Sequence, residues 1–402
     1  MNIAVLGTLD SKGFEHAFVA DLIKAKGHTA ILIDLGTGGP AQVTPDFTRF
    51  DVAQSNNTDL QSLIDRQDRG ECVVAMSEAA PHFVSKLVED GKIDGIISLG
   101  GGGGTALGTS VMRALPIGFP KVMVSTLASG NTAHYVGSKD IVMIPSIVDV
   151  AGLNRISKKI FTQAAGAICG MVESIQSNDS DAKPLIVASM FGNTTDCINH
   201  AAKVLENAGY EVLIFHATGI GGKTMESLIE SGMVAGVLDI TTTEWADELL
   251  GATLSAGPTR MDAMSKAKVP TVVAPGCLDM ANYGERESLP SEHEGRTLYI
   301  HNPQVTLLRT NANECAQLGK ILAQKANANP APTAILNPLK TVSVISAEGQ
   351  PFYDPEADKA LFEAIHQHAK VEVVDYDEEI NSKTFAEAAA NKLLELMAQN
   401  QS

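Results

Sequence analysis

The chain has 402 residues, of which 44% are apolar, 5% aromatic and 35 are glycine. That is material for two domains or three, in the proportions of α/β proteins, where Val, Ile and Ala fill parallel sheets and glycines fill the turns after strands. A formal net charge of -17 disfavours nucleic acid and anionic membrane as general partners, yet leaves room for a phosphate held by a local nest of backbone N–H groups.

Strand-like apolar runs alternate with helical patterns from the first residues onward. "NIAVLG" (2–7) precedes a helix near 12–26, and "TAILIDLG" (29–36) follows it. Helical segments near 58–69 and 78–91 lead to "DGIISLG" (94–100), a helix near 104–115, "KVMVST" (121–126), "DIVMIP" (140–145) and a long helix near 153–176. The polar stretch "SNDSDAKP" (177–184) reads as a linker, after which the pattern restarts with "LIVASMFG" (185–192), a helix near 195–208, "EVLIFHATG" (211–219), a helix near 222–231 and "AGVLDIT" (235–241). "PTVVAPG" (270–276) and "TLYIHNP" (297–303) come next, then a helix near 312–326, "TVSVIS" (341–346), a helix near 355–368, "VEVVDY" (371–376) and a last helix near 382–399. Strands alternating with helices predict βαβ units. The fold class is therefore α/β, with two tandem Rossmann-like open parallel-sheet domains at 1–178 and 183–402.

The two halves echo one another. "IAVLGTLDSKG" is matched by "VASMFGNTTDC", "KIDGIISLGGGG" by "MVAGVLDITTTE", and "FPKVMVSTLASGN" by "VPTVVAPGCLDMAN". No stretch is long and apolar enough to span a bilayer, and "MNIAVLG" begins a strand without a basic leader. Five scattered cysteines without a CxxC pair read as reduced thiols, so the expected location is cytoplasmic. Cys277 is either a nucleophile or, more simply, a small residue in a tight turn.

In open parallel sheets, ligands bind beyond the carboxyl ends of the strands. Gly100 to Gly104 are five consecutive glycines between a strand and a helix, with Thr105 as the expected helix cap. Bare backbone lets successive N–H groups turn toward one anion, with the helix dipole added. In "GTLDSKG" (7–13), Thr8 and Ser11 can donate to a phosphate, Lys12 can neutralise it, and Asp10 can hold Mg²⁺ or a ribose hydroxyl. "STLASGN" (125–131) adds Thr126 and Asn131. The expected ligand-binding set is therefore Thr8, Asp10, Ser11, Lys12, Gly101, Gly102, Gly103, Gly104, Thr105, Thr126 and Asn131, with Asp10 as the metal ligand.

In the second half "ATGIGGKT" (217–224) fits a permissive Walker A pattern, with Asp239 placed as a Mg²⁺ carboxylate would be. A phosphate site and a plain helix start both remain open for it. His216, Asp279, His301 and Arg309 also fall at strand ends, and Asp279, His301 and Arg309 are the candidate catalytic residues. The loop 283–296 is solvated and a candidate lid.

"VLGTLDSKG", "GGGGTALGTSVMRALPIGFPKVMVSTLASGN", "MIPSIVDVAGLNRIS" and "HNPQVTLLRTNANE" resemble the family typified by the ATP-binding N-terminal region of the tomato mosaic virus resistance protein. The resemblance spans nearly the whole chain. It implies two Rossmann-like subdomains, a homodimer, and binding of ATP with Mg²⁺. The leading expectation is thus a nucleotide-binding homodimer of unstated reaction. Two alternatives stand beside it: an enzyme acting on a small phosphorylated or carboxylated metabolite between the domains, and a non-catalytic interaction protein.

Overall fold

The computed structural model describes residues 1–66, 68–174 and 183–400, and the chain divides into two compact units, 1–179 and 180–402. The predicted linker falls, up to residue 182, outside the described residues. Among the described residues no helix is long and apolar enough to cross a membrane.

The first unit holds five strands: β1 (Asn2–Gly7), β2 (Thr29–Asp34), β3 (Gly95–Gly100), β4 (Lys121–Ser125) and β5 (Val142–Pro145). All are parallel, in the order β2-β1-β3-β4-β5. Because successive strand residues face opposite sides, each strand feeds two cores. Ile3, Val5, Ile97 and Val124 pack with Val19, Phe161 and Ile168 on one face. Ala4, Leu6, Ile96 and Met123 pack with Met76, Val84 and Val111 on the other. Burying each large aliphatic side chain contributes about 1.5–3 kcal/mol, so a helix layer covers both faces. The resulting order is the flavodoxin-like variant of the doubly wound sheet, whose chain reverses direction between β1 and β3.

The second unit holds β6 (Leu185–Met190), β7 (Glu211–His216), β8 (Val234–Thr241), β9 (Thr271–Gly276), β10 (Met280–Tyr283), β11 (Leu298–Asn302), β12 (Val305–Arg309), β13 (Thr333–Pro338) and β14 (Glu372–Tyr376). Six of these form a parallel sheet in the order β14-β13-β9-β8-β6-β7, and β10-β12-β11 form a separate antiparallel sheet. With that insertion set aside, the first five parallel strands repeat the order of the first unit. The three sequence echoes fall on equivalent strands: β1 with β6, β3 with β8, β4 with β9.

Two predicted elements are corrected. "TVSVIS" (341–346) is not a strand; it ends in a single 3-10 turn, Val344–Ser346, because its hydroxyls bond locally. Thr341 Oγ1 lies 2.6 Å from Ser346 Oγ, and Ser346 N donates to Ser343 Oγ at 3.1 Å. The strand is instead "TAILNP" (Thr333–Pro338), a stretch the sequence reading left unassigned. The helix expected at 78–91 spans Arg69–Glu89 and runs through Pro81, with Asp68 accepting the Glu71 N–H at 3.0 Å as its cap.

Candidate functional site

The reversal between β1 and β3 opens a cavity of about 530 Å3 at the carboxyl edge of the first sheet. Thr8, Asp10, Ser11, Lys12, the turn Thr37–Gly39 and Gly101–Gly104 line it, with Val73 and Leu107 as its apolar wall. Three sequence segments distant from one another thus meet where the strand order places them.

The glycine loop is built as a bare helix start. Gly101 is the N-cap of the helix Gly102–Ala114, and no side chain caps it. The amides of Gly102, Gly103 and Gly104 occupy the first three helical positions, where helix geometry supplies no acceptor. The expected cap, Thr105, is corrected. It lies inside the helix, fully buried, its hydroxyl 2.6 Å from Ser125 Oγ, and it ties the loop to β4 instead of facing a ligand.

Packing explains one of the five glycines. A Cβ at Gly100 would sit 2.7 Å from the Gly104 backbone, whereas at Gly102 and Gly103 it would meet nothing within 4 Å. At Gly104 it would make only ordinary contact, 3.5 Å from Leu99 O. Each helical glycine costs roughly 0.5–1 kcal/mol relative to Ala, so the bare stretch is retained against stability where its own protein makes no demand for it.

The facing loop is shaped by Asp34 at the end of β2. Its buried carboxylate accepts from Leu9 N (3.0 Å) and Gly36 N (2.8 Å), fixing the start of the helix Leu9–Ala25. Burial pushes the Asp34 carboxyl above its ordinary value. Lys12 leaves helical geometry (φ -134°, ψ 28°), and its ammonium donates to Val150 O. His16 lies beneath, fully buried, with Nδ1 2.7 Å from Lys12 O; burial holds its pKa below the ordinary range. Asp10 accepts from Gly38 N at 2.7 Å through one oxygen. Among the described residues no group of three His, Cys, Asp or Glu converges as a metal cage. A Mg²⁺ held by one carboxylate and substrate phosphates needs no such cage, and Asp10 is the carboxylate in this cavity suited to that arrangement.

Beyond Gly101 lies a second cavity of about 360 Å3, lined by Thr126, Ser129 and Pro145–Asp149. Asn131 lines neither cavity; its Oδ1 accepts from Ala133 N at 3.1 Å and fixes a short turn. Sequence reading missed the turn Thr37–Gly39 and Asp149. The first carried a usable signal, the run "LGTGGP" directly after a strand; the second did not.

The equivalent edge of the second unit is closed by its own side chains. The turn after β8 carries Thr242, Thr243 and Glu244, all buried, where the first unit has bare glycine. The Glu244 carboxylate accepts from Gly219 N (2.7 Å), Gly222 N (3.1 Å) and Arg260 Nε (2.7 Å). The Walker-like turn is thus occupied by an internal anion. Asp239 is likewise held by the Arg260 fork, with both bonds at 2.7 Å, which corrects its reading as a metal carboxylate.

The candidate catalytic trio is not assembled at an accessible surface. Asp279 is fully buried, with Ser343 Oγ donating to it at 2.7 Å, and burial pushes its carboxyl up to about 6. Arg309 is buried, donating to Phe352 O (2.8 Å) and Asp358 (2.6 Å). His301 is exposed on β11, and His216 is exposed at the end of β7. Cys277 is fully buried at φ 59°, and burial raises its thiol well above the ordinary value, so it is a turn residue and not a thiolate. A cavity of about 570 Å3 lies near the ends of β13 and β14. Four of its charges pair among themselves, His366 with Asp375 at 3.0 Å and Lys359 with Glu363 at 3.6 Å, and Lys340 and Asp358 pair with Asp377 and Arg309 outside it.

Residues 1–177 match the N-terminal domain, and residues 183–397 the C-terminal domain, of the Uncharacterised protein family (UPF0261). A Clostridium tetani UPF0261 protein is 48% identical over 98% of each chain, and one from Mesorhizobium japonicum is 43% identical over 96% of this chain and 97% of its own. The tomato "ToMV susceptible protein tm-1(GCR26)" is 39% identical over 97% of this chain, which spans 55% of that longer protein. Among solved structures, a Rickettsia bellii UDP-N-acetylglucosamine 2-epimerase is similar at a TM-score of 0.23 and 11% identity, over 67% of this chain and 78% of that one; nothing further rests on it. With both units matched and relatives aligned end to end, the chain belongs to the UPF0261 family.

Proposed function

We propose that the first unit binds a nucleoside triphosphate, ATP, with its phosphates on Gly101–Gly104 and Lys12. The observation that carries this is the open space beside Gly102 and Gly103. The loop gives up stability to stay bare, three helix-start amides lack a cap, and the space they face is a lined cavity. A helix N-terminus with free N–H groups favours phosphate. Lys12 stands on the facing loop to neutralise charge, and Asp10 would hold Mg²⁺ there together with the phosphates. The wall of Val73 and Leu107 gives a base or sugar an apolar surface. The homodimer belongs to the same proposal, with light scattering at twice the 42.3 kDa chain mass as its measure.

Isothermal titration with MgATP tests the site. A Gly102→Val, Gly103→Val double variant fills the space where the phosphates would lie and weakens binding at least 100-fold, while circular dichroism stays native. Equal affinity of the variant and the natural chain refutes the reading.

A further inference from the structure

The second cavity of the first unit adjoins the glycine loop and holds a carboxylate that the fold does not use. A Cβ built on Gly101 would lie 3.8 Å from Thr126 Oγ1 and 4.0 Å from Asp149 Oδ1, so both groups stand directly beside the loop that lines the first cavity. Asp149 is exposed and makes no hydrogen bond or ion pair with any described residue. It shares its cavity with the hydroxyls of Thr126 and Ser129. Ser146 is spent within the turn, its hydroxyl donating to Val148 O at 2.6 Å.

The segment carrying Asp149 is held in an unusual shape. Ile147, a β-branched residue, sits in the left-handed region at φ 66° and is 72% exposed, so no buried contact of its own rewards that conformation. Backbone strain of this kind persists where the surroundings over-determine it, and it gathers at working sites. Here two residues of the helix Leu9–Ala25 do the fixing: Lys12 donates to Val150 O, and Glu15 accepts from Gly152 N. The Asp149 segment is therefore fastened to the element whose first turn lines the first cavity.

We infer that the first unit transfers the γ-phosphoryl group of the bound nucleotide to a hydroxyl-bearing acceptor seated in this second cavity, with Asp149 as the catalytic base. The inference rests on the nucleotide reading above. The acceptor's oxygen forms a bond to the γ-phosphorus while the bond from that phosphorus to the β,γ-bridging oxygen breaks. The electron pair leaves with the nucleoside diphosphate, and the acceptor's proton passes to the Asp149 carboxylate. Thr126 and Ser129 hydrogen-bond a polyhydroxylated acceptor without adding charge, which suits a small alcohol or sugar and not a second anion. Water is the smallest such acceptor.

The experiment uses the full chain with Mg²⁺ and γ-labelled ATP, in water alone and with glycerol, erythritol and ribose, and measures nucleotide affinity separately with a non-hydrolysable ATP analogue. The expected result is label released as phosphate or transferred to a polyol, lost at least 100-fold in Asp149→Asn at unchanged analogue affinity, in line with the usual contribution of a positioned base. Analogue bound with no transfer to water or any polyol overturns the inference and leaves nucleotide binding intact. An Asp149→Asn variant that turns over normally, or that loses analogue affinity as well, also overturns the role as base. Failure of the natural chain to bind the analogue sinks the nucleotide reading instead.

Discussion

The Lys12 ammonium donates to the carbonyl oxygen of Val150, joining the first turn of the helix Leu9–Ala25 to the loop after β5. Lys12 reaches that carbonyl because its own backbone leaves helical geometry in the first turn of its helix. One charge thus stands in the cavity lined by Gly101–Gly104 and pins the segment that carries Asp149.

Replacing Lys12 by Met removes both roles. A hydrogen bond to a charged group contributes about 1.5–3 kcal/mol, so ATP affinity falls roughly 10- to 100-fold. Amide hydrogen exchange in residues 146–152 quickens even without nucleotide. Unaltered exchange there shows that Val150 does not depend on Lys12.

On the proposed nucleotide reading, the glycine loop sets stability against binding. Because a Cβ at Gly102 or Gly103 meets nothing within 4 Å, a Gly102→Ala, Gly103→Ala variant gains roughly 0.5–1 kcal/mol per site at most. Its melting temperature rises while ATP affinity drops. A variant that melts lower than the natural chain contradicts the account of the loop as a bare helix start.

In the second unit Glu244 plays the part of a bound anion. Glu244→Ala leaves the Gly219 and Gly222 amides without their acceptor and removes a carboxylate from buried Arg260. Removing one partner of a buried pair costs about 3–5 kcal/mol. Sulfate or phosphate then raises the variant's melting temperature more than that of the natural chain, by mass action at the vacated amides. Equal responses in the two proteins mean that the turn has no anion affinity of its own.

Asp279 gives the pH test. Its folded pKa is raised from 3.8 to about 6 because burial disfavours the carboxylate. The native state then holds the proton over a window in which the unfolded chain has lost it, so this group's contribution to stability falls as pH rises from 3.8 to 6. The loss is on the order of 3 kcal/mol at pH 7. Asp279→Asn therefore melts higher relative to the natural chain at pH 7 than at pH 4.5, with ATP affinity unchanged. A melting difference that does not change with pH refutes this.

Several features were legible in the sequence for identifiable reasons. The strands β1, β3 and β4 were marked by mostly apolar runs closed by Gly or Ser, since a strand buried on both faces has little polar side to show. The five glycines stood out because glycine weakens both helix and strand, and the structure places them across the end of β3 and the start of the helix Gly102–Ala114. "TVSVIS" misled because alternating hydroxyl and apolar residues fit a strand, and only local hydroxyl bonding decides otherwise. Arg309 and Asp279 misled because a charged residue beside a strand end looks the same whether it meets solvent or is matched inside by Asp358 and Ser343.

The alternation of apolar runs and helical patterns by itself determined two doubly wound units and where the carboxyl edge of each sheet would fall, because burial on both faces of a parallel sheet forces that pattern into the chain. Which edge stays open was decided only by tertiary structure. Glu244 lies 25 residues from Gly219 and takes up its amide, whereas among the described residues no side chain caps the helix that starts at Gly102 and the space a Cβ would take at Gly102 or Gly103 is open. Whether a distant side chain supplies the missing acceptor depends on packing in three dimensions, and no local spacing encodes it.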